Sequence, residues 1–257
     1  MKKVYFMFVI LLSLSGIHSA MAKPWQEIKE SKELRVGVPG DYAPLAFHNK
    51  QNNKLIGFDI DMAYSLGKAL HLNILFVPSS WPTLSTDLAA DKFDIAMGGI
   101  TETPGRRKQF ALSSPVLKNG KIALTQCNRI NDFKSLEDID RKGVRIVVNP
   151  GGTNLDYVDK HIRYADVIRE KDNDATLQRI RERSADVMFT DLLEGTYYQN
   201  KEPGVFCVST RSILPDTAGN KVYMMAKDNQ YLLDAVNSWL SDENRIILAR
   251  KWQINPE

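Results

Sequence analysis

The stretch LRVGVPGDYAPL, Leu34 to Leu45, and its later counterpart VRIVVNPGGTNL, Val144 to Leu155, decide how the chain folds. Each is a short apolar run interrupted by Pro and Gly and continued by a polar loop, the pattern of a buried strand that ends at a turn. A second pair follows the same logic. TLSTDLAADKFDIAMGG, Thr83 to Gly99, matches TLQRIRERSADVMFTD, Thr176 to Asp191, as an amphipathic helix, an apolar strand and a polar loop in that order. Unrelated βα units also look alike, so chance similarity stands beside duplication as an explanation of the echo.

Working outward, Phe58 to Leu70 reads as a helix with Ile60, Ala63, Leu66 and Leu70 near one face. Leu72 to Val77 reads as a strand stopped by Pro78, and Phe93 to Met97 as a buried strand after the helical run Thr83 to Asp91. Such alternation predicts α/β architecture with parallel sheets covered by helices. The order of units predicts two lobes. Residues 23–121 and 226–257 form a discontinuous first lobe and 122–225 a second, with Lys121 to Gln126 crossing over and Val222 to Ala226 crossing back. The terminal helical runs, Tyr231 to Leu240 and Asn244 to Trp252, rejoin the first lobe. In open parallel sheets ligands bind beyond the carboxyl ends of the strands. Four post-strand loops should therefore surround one cleft: Gly40 to Tyr42, Gly98 to Arg106, Asn149 to Asn154 and Thr190 to Glu194. Hinge closure around a ligand is the expected motion.

Residues 1–22 read as an export signal. Lys2 and Lys3 precede an apolar run from Val4 to Ile17, and Ala20-Met21-Ala22 forms a cleavage triad. An uncleaved anchor is the alternative, although the apolar run is short for a span. Cleavage leaves about 235 residues and takes the formal net charge from +3 to about +1. That balance carries no nucleic-acid footprint, and the mature form needs no membrane. Cys127 and Cys207 meet an oxidising compartment after export, which favours a disulfide over two inert thiols. Neither lies in a C-x-x-C spacing, so redox catalysis is not indicated.

The polar residues with chemical potential fall in the four loops. In NPGGTN, Asn149 to Asn154, the glycines free backbone N–H groups at a helix start, including that of Gly152, a site suited to carboxylates. Thr153 can add a hydroxyl and Asn154 an amide, or Thr153 can be an ordinary N-cap. In GGITETPGR, Gly99 and Thr101 lead to Arg106, whose guanidinium can hold a carboxylate by two bonds or simply be solvated. Tyr42 and Trp81 can face a ring or pack within a lobe. In TDLLEG, Thr190 or Asp191 with Glu194 three or four residues on reads as a capping box. The rival reading turns Glu194 into the cleft, where excluded water and the Asp191 charge raise its pKa until it can donate a proton. Only His48, His71 and His161 outlast signal cleavage, and none shows metal-ligand spacing. There is no G-x-S-x-G, P-loop or G-x-G-x-x-G, so neither metal nor organic cofactor is expected.

Together LRVGVPGDYAPLAF, GFDIDMA, KFDIAMGGIT with Arg106, and NPGGTN resemble the periplasmic solute-binding proteins of the polar amino-acid type, over nearly all of the mature chain. The resemblance implies a type II periplasmic-binding-protein-like fold, two α/β lobes joined by two hinge crossings with a cleft between. It also implies that Arg106, Thr101 and Thr153 contact ligand carboxylates and that Asp191 meets a ligand ammonium. SSWPTLSTDLAADKFDIAM, VNPGGTN, TDLLEG and both cysteine positions resemble one offshoot, the periplasmic cyclohexadienyl dehydratases. That likeness implies prephenate and arogenate as substrates, no cofactor, Glu194 as general acid, Asn154 and Trp81 in the pocket, and a Cys127–Cys207 disulfide. Gly98, where serine is usual, Thr101 in place of serine, and Val116, where tyrosine is usual, depart from the pattern. The other reading is a non-catalytic receptor that hands an amino acid to an ABC permease. A homo-oligomer is compatible with either, and no interface patch is evident in the sequence.

Overall fold

The computed structural model describes residues 23–240 and 242–255. The expected signal segment lies outside the described residues.

Two five-stranded sheets carry the fold, and they share one plan. The first runs Asn73–Pro78, Glu33–Val38, Ile95–Ala96, Met224–Ala226, Phe110–Leu112. The second runs Asp166–Arg169, Arg145–Val148, Val187–Asp191, Lys121–Gln126, Phe206–Val208. In each, three strands are parallel and the last two antiparallel to their neighbours, so the expectation of purely parallel sheets is corrected to mixed ones. The reason lies in the exchange of chain. The fourth strand of each sheet enters from the other half of the sequence and runs against the βαβ units beside it. The echo between the two opening stretches thus corresponds to equivalent places, since Glu33–Val38 and Arg145–Val148 are the second strands of their sheets.

Helices cover both faces. Phe58–Leu70 buries Phe58, Ile60, Met62, Ala63 and Leu66 against the first sheet, each larger side chain contributing roughly 1.5–3 kcal/mol by leaving water. It stops because His71 takes a left-handed conformation (φ 55°) and Leu72 N–H returns to the Gly67 carbonyl at 2.8 Å. Gln230–Trp239 and Asp242–Lys251 pack on the same side, and Leu232, Val236, Trp239 and Ala249 complete that core. The second sheet has an apolar layer on each face, one built on Ile146, Val148, Tyr157 and Phe189, the other on Ile122, Leu177, Met188 and Phe206.

Cys127 and Cys207 are bonded, with Cα atoms 4.8 Å apart across a sequence separation of 80. Closing a loop of that length restrains the unfolded chain by about 4 kcal/mol. Among the described residues no helix is long and apolar enough to cross a membrane.

Candidate functional site

The four loops meet at one narrow cavity of about 20 Å³. Tyr42, Trp81, Gly99, Thr101 and Arg106 line it from the first lobe, and Gly152, Thr153, Asn154 and Asp191 from the second. Every substrate-contact candidate read from the sequence therefore reaches this cavity, and Asn149, Gly151, Asn173 and Lys221 line it as well.

The second-lobe loop is shaped by its glycines. Gly151 has φ +67°, and a Cβ there would come within 2.8 Å of the Pro82 backbone, so only glycine lets the two lobes approach so closely. The helix Gly152–His161 starts from Gly151 without a side-chain cap. Thr153 is thus not an N-cap; its hydroxyl instead accepts from Lys121 Nζ at 3.0 Å. The same ammonium donates to Asn154 Oδ1 at 2.6 Å, and Asn154 Nδ2 donates to Asn149 Oδ1 at 3.3 Å.

The first-lobe loop is held from behind by Asp59. Its Oδ2 accepts the N–H groups of Gly98 and Gly99 at 3.0 and 2.8 Å, and its Oδ1 accepts from the Tyr223 hydroxyl at 2.9 Å. Burial raises Asp59 to about 6 against those bonds. Gly98 has φ +106° and packs on Ala46 and Pro39, so a serine here would be strained. Val116 is buried and does not line the cavity; its N–H donates to the Lys221 carbonyl. The Arg106 guanidinium donates from Nη1 to the Thr101 carbonyl at 2.6 Å, and burial lowers its pKa. Tyr42 and Trp81 meet edge to face at 5.8 Å between ring centres, and Trp81 Nε1 donates to Asp41 Oδ1 at 2.8 Å.

Asp191 and Glu194 differ sharply. Asp191 Oδ2 accepts from Lys221 Nζ and from the Tyr42 hydroxyl, both at 2.6 Å, and Oδ1 faces Lys121 Nζ at 3.4 Å. Burial alone would raise this carboxyl, but the two ammonium charges and these bonds hold it far below the usual range. Glu194 is wholly enclosed. Its Oε1 accepts from Asn173 Nδ2 at 2.6 Å, and its Oε2 is bonded to the Thr190 hydroxyl. Burial, helped by the charges of Asp191 and Asp41, raises it to about 8 against those two bonds. Asn173 ties this acid to the other lobe, since its N–H donates to Asp41 Oδ2 and its Nδ2 to the Asp41 carbonyl, both at 3.1 Å.

The capping box does not form. The helix Leu192–Lys201 has Asp191 at its N-cap with no side-chain bond, because the Asp191 carboxylate is taken by lysines. Glu194 turns back onto the strand residue Thr190 rather than onto a helix N–H. Reading the sequence alone missed Lys121, Lys221 and Asn173. Each lysine follows a paired Gly and Asn and precedes an apolar run, in NGKIALT and GNKVYMM, and that shared pattern is the signal that could have found them. Among the described residues no group of three or more His, Cys, Asp or Glu is placed to hold a metal.

A larger opening, about 540 Å³, lies behind the helix Leu192–Lys201 and is lined by Pro44, Tyr197 and Trp252 among others. Lys118, Lys201 and Lys251 line it, but no acidic residue does.

Residues 34–245 match the family of bacterial extracellular solute-binding proteins, family 3. The chain is 36% identical over 231 residues to the cyclohexadienyl dehydratase of Pseudomonas aeruginosa, covering 90% of this chain and 85% of that protein. It is 24% identical over 230 residues to the L-cystine-binding protein TcyJ of Escherichia coli, covering 88% and 84%. Among solved structures, an ancestral amino acid-binding protein described as a precursor of cyclohexadienyl dehydratase superposes with a TM-score of 0.81 at 32% identity, covering 88% of this chain and 98% of that one. An ancestral cyclohexadienyl dehydratase is 42% identical with a TM-score of 0.54, covering 90% and 97%. With two mixed sheets, a cavity between them and a family match over most of its length, the chain belongs to the bacterial extracellular solute-binding proteins, family 3.

Proposed function

We propose that this protein is an exported, periplasmic cyclohexadienyl dehydratase, a cofactor-free carbon–oxygen lyase that converts prephenate to phenylpyruvate and arogenate to phenylalanine. The observation that carries the reading is Glu194, an acid fully buried beside an anion-receiving cavity and kept protonated to about pH 8. A receptor that only binds amino acids has no use for such a group. The identity to a cyclohexadienyl dehydratase supports the same reading.

The reaction asks little of the protein beyond placement. Prephenate carries a ring carboxylate, a pyruvyl carboxylate and a ring hydroxyl. Glu194 protonates the hydroxyl, the C–O bond breaks and water leaves. The bond to the ring carboxylate breaks in concert, carbon dioxide departs, and its electron pair completes the aromatic ring. Glu194 is left as a carboxylate and takes a proton from solvent when the lobes open. Arg106, Lys121, Thr153 and the N–H groups at Gly152 receive the anions, while Tyr42 and Trp81 flank the ring. General acid catalysis supplies roughly 10²- to 10⁴-fold, and charge already arranged in a dry site adds to it. Asn173 positions the acid, and its bonds to Asp41 link that acid to the other lobe.

The test is to incubate purified mature protein with prephenate and follow phenylpyruvate against the spontaneous reaction. Clear acceleration supports the proposal. No acceleration, together with tight binding of an amino acid, supports the second reading, an amino-acid-binding protein of an ABC transporter, which the likeness to the cystine-binding protein favours.

A further inference from the structure

The resemblance to amino-acid receptors gives Asp191 the task of meeting a ligand ammonium, yet in the structure that place is already taken. Lys221 is a buried residue, and its three N–H donors are all spent: on the Gly99 carbonyl at 2.9 Å, on Thr101 Oγ1 at 2.8 Å and on Asp191 Oδ2 at 2.6 Å. An ammonium has three donors and no more, so Lys221 is saturated by the protein itself. Asp191 is equally occupied, by Lys221, the Tyr42 hydroxyl and Lys121. An incoming ligand ammonium would find three donors already on this carboxylate, and taking the place of Lys221 would leave that lysine buried without its counter-ion, which is strongly unfavourable.

The charge balance points the same way. Arg106 and Lys221 line the cavity with Asp191 as the one acid lining it, Lys121 stands beside Asp191, and Glu194 does not line it. The lining thus carries one surplus positive charge, with Lys121 close by, which suits an anionic ligand and opposes one that carries a further cation. The two lysines differ in their hold on Asp191, at 2.6 Å from Lys221 and 3.4 Å from Lys121.

We propose that Lys221 is a built-in substitute for a ligand's α-ammonium group, and that its ion pair with Asp191 commits the cavity to α-keto dicarboxylates in preference to their α-amino analogues. The inference rests on the cavity being the dehydratase's substrate site, and it assigns that site a preference.

Two measurements test it. The first compares kcat/KM for prephenate and arogenate, which differ at one keto or ammonium group. The second compares binding of phenylpyruvate and L-phenylalanine to Glu194→Gln, and needs no turnover. The expected results are at least a tenfold preference for the keto member of each pair in wild type, and a shift of at least tenfold toward the amino member in Lys221→Met. Lys221→Arg, which keeps the charge, should retain the keto preference. If Lys221→Met does not fold, Lys221→Gln, which keeps a donor without charge, is read in its place. Equal or better use of arogenate by wild type, or an unchanged ratio in the folded uncharged variant, overturns the inference while leaving the dehydratase reading standing. Absence of any turnover with keto-selective binding would sink the dehydratase reading and leave the role of Lys221 intact.

Discussion

Asp191 and Glu194 sit three residues apart at the end of one strand, both buried, and they hold opposite protonation states. Asp191 lies at the rim between two ammonium groups and stays ionised. Glu194 lies one turn deeper, where its bonded neighbours are an amide and a hydroxyl, and stays neutral to about 8. Burial is common to both, so burial does not decide the charge. The local cations do: where they are present the carboxyl stays ionised, and where they are absent it stays protonated. One short stretch thereby holds the same chemical group in two unlike protonation states.

The largest effect that could break this contrast is loss of the proton. Glu194→Gln keeps size and hydrogen-bonding capacity and should lower kcat by roughly 10³-fold with little change in substrate affinity, measured by steady-state kinetics on prephenate. If the variant keeps most of its turnover, the two acids do not differ in function. The complementary change, Asp191→Asn, strands two buried lysines. It should destabilise the protein by roughly 3–5 kcal/mol in urea unfolding, much more than Glu194→Gln.

A smaller effect sharpens the contrast through pH. The folded state holds Glu194 at about 8, above its ordinary 4.5, so its contribution to stability is complete at low pH and is lost as pH rises toward the folded value. Asp191, depressed in the folded state, contributes above its ordinary value and loses that contribution as pH falls. Near pH 8, Glu194→Gln should therefore be more stable than wild type by roughly 1–3 kcal/mol, with the difference vanishing below about pH 5. Equal stability curves for the two proteins would contradict a raised Glu194. The smallest effect is local. The Thr190 hydroxyl lowers the acid's pKa, so Thr190→Val should move the basic limb of the kcat profile upward by about one unit or less.

Much of this was legible before the structure. The strand-and-turn echo of Leu34 to Leu45 and Val144 to Leu155 corresponds to matching strands in two sheets, because apolar runs ended by Pro and Gly encode buried strands through local sterics. The loop residues Tyr42, Thr101, Arg106, Thr153, Asn154 and Asp191 line one cavity because ligand sites collect beyond strand ends. What stayed hidden depends on contacts distant in sequence. Lys221 meets Asp191 from 30 residues away and Gly99 from 122, and at the head of an apolar strand it reads as an ordinary solvated lysine. Asn173 lies just after the capping Asp172, so its link between Asp41 and Glu194 appears only once the lobes are closed on each other. The local motif TDLLEG carried both the capping and the catalytic reading, and the lysines that hold Asp191 are why no capping box forms.

The measurement that bears most directly on the central claim is a titration of the Glu194 carboxyl itself, by carbon-13 NMR or difference infrared, with Glu194→Gln supplying the assignment. The account predicts a carboxyl that stays protonated through neutrality and ionises near pH 8. A midpoint near 4.5, the ordinary value for a solvated glutamate, would contradict it.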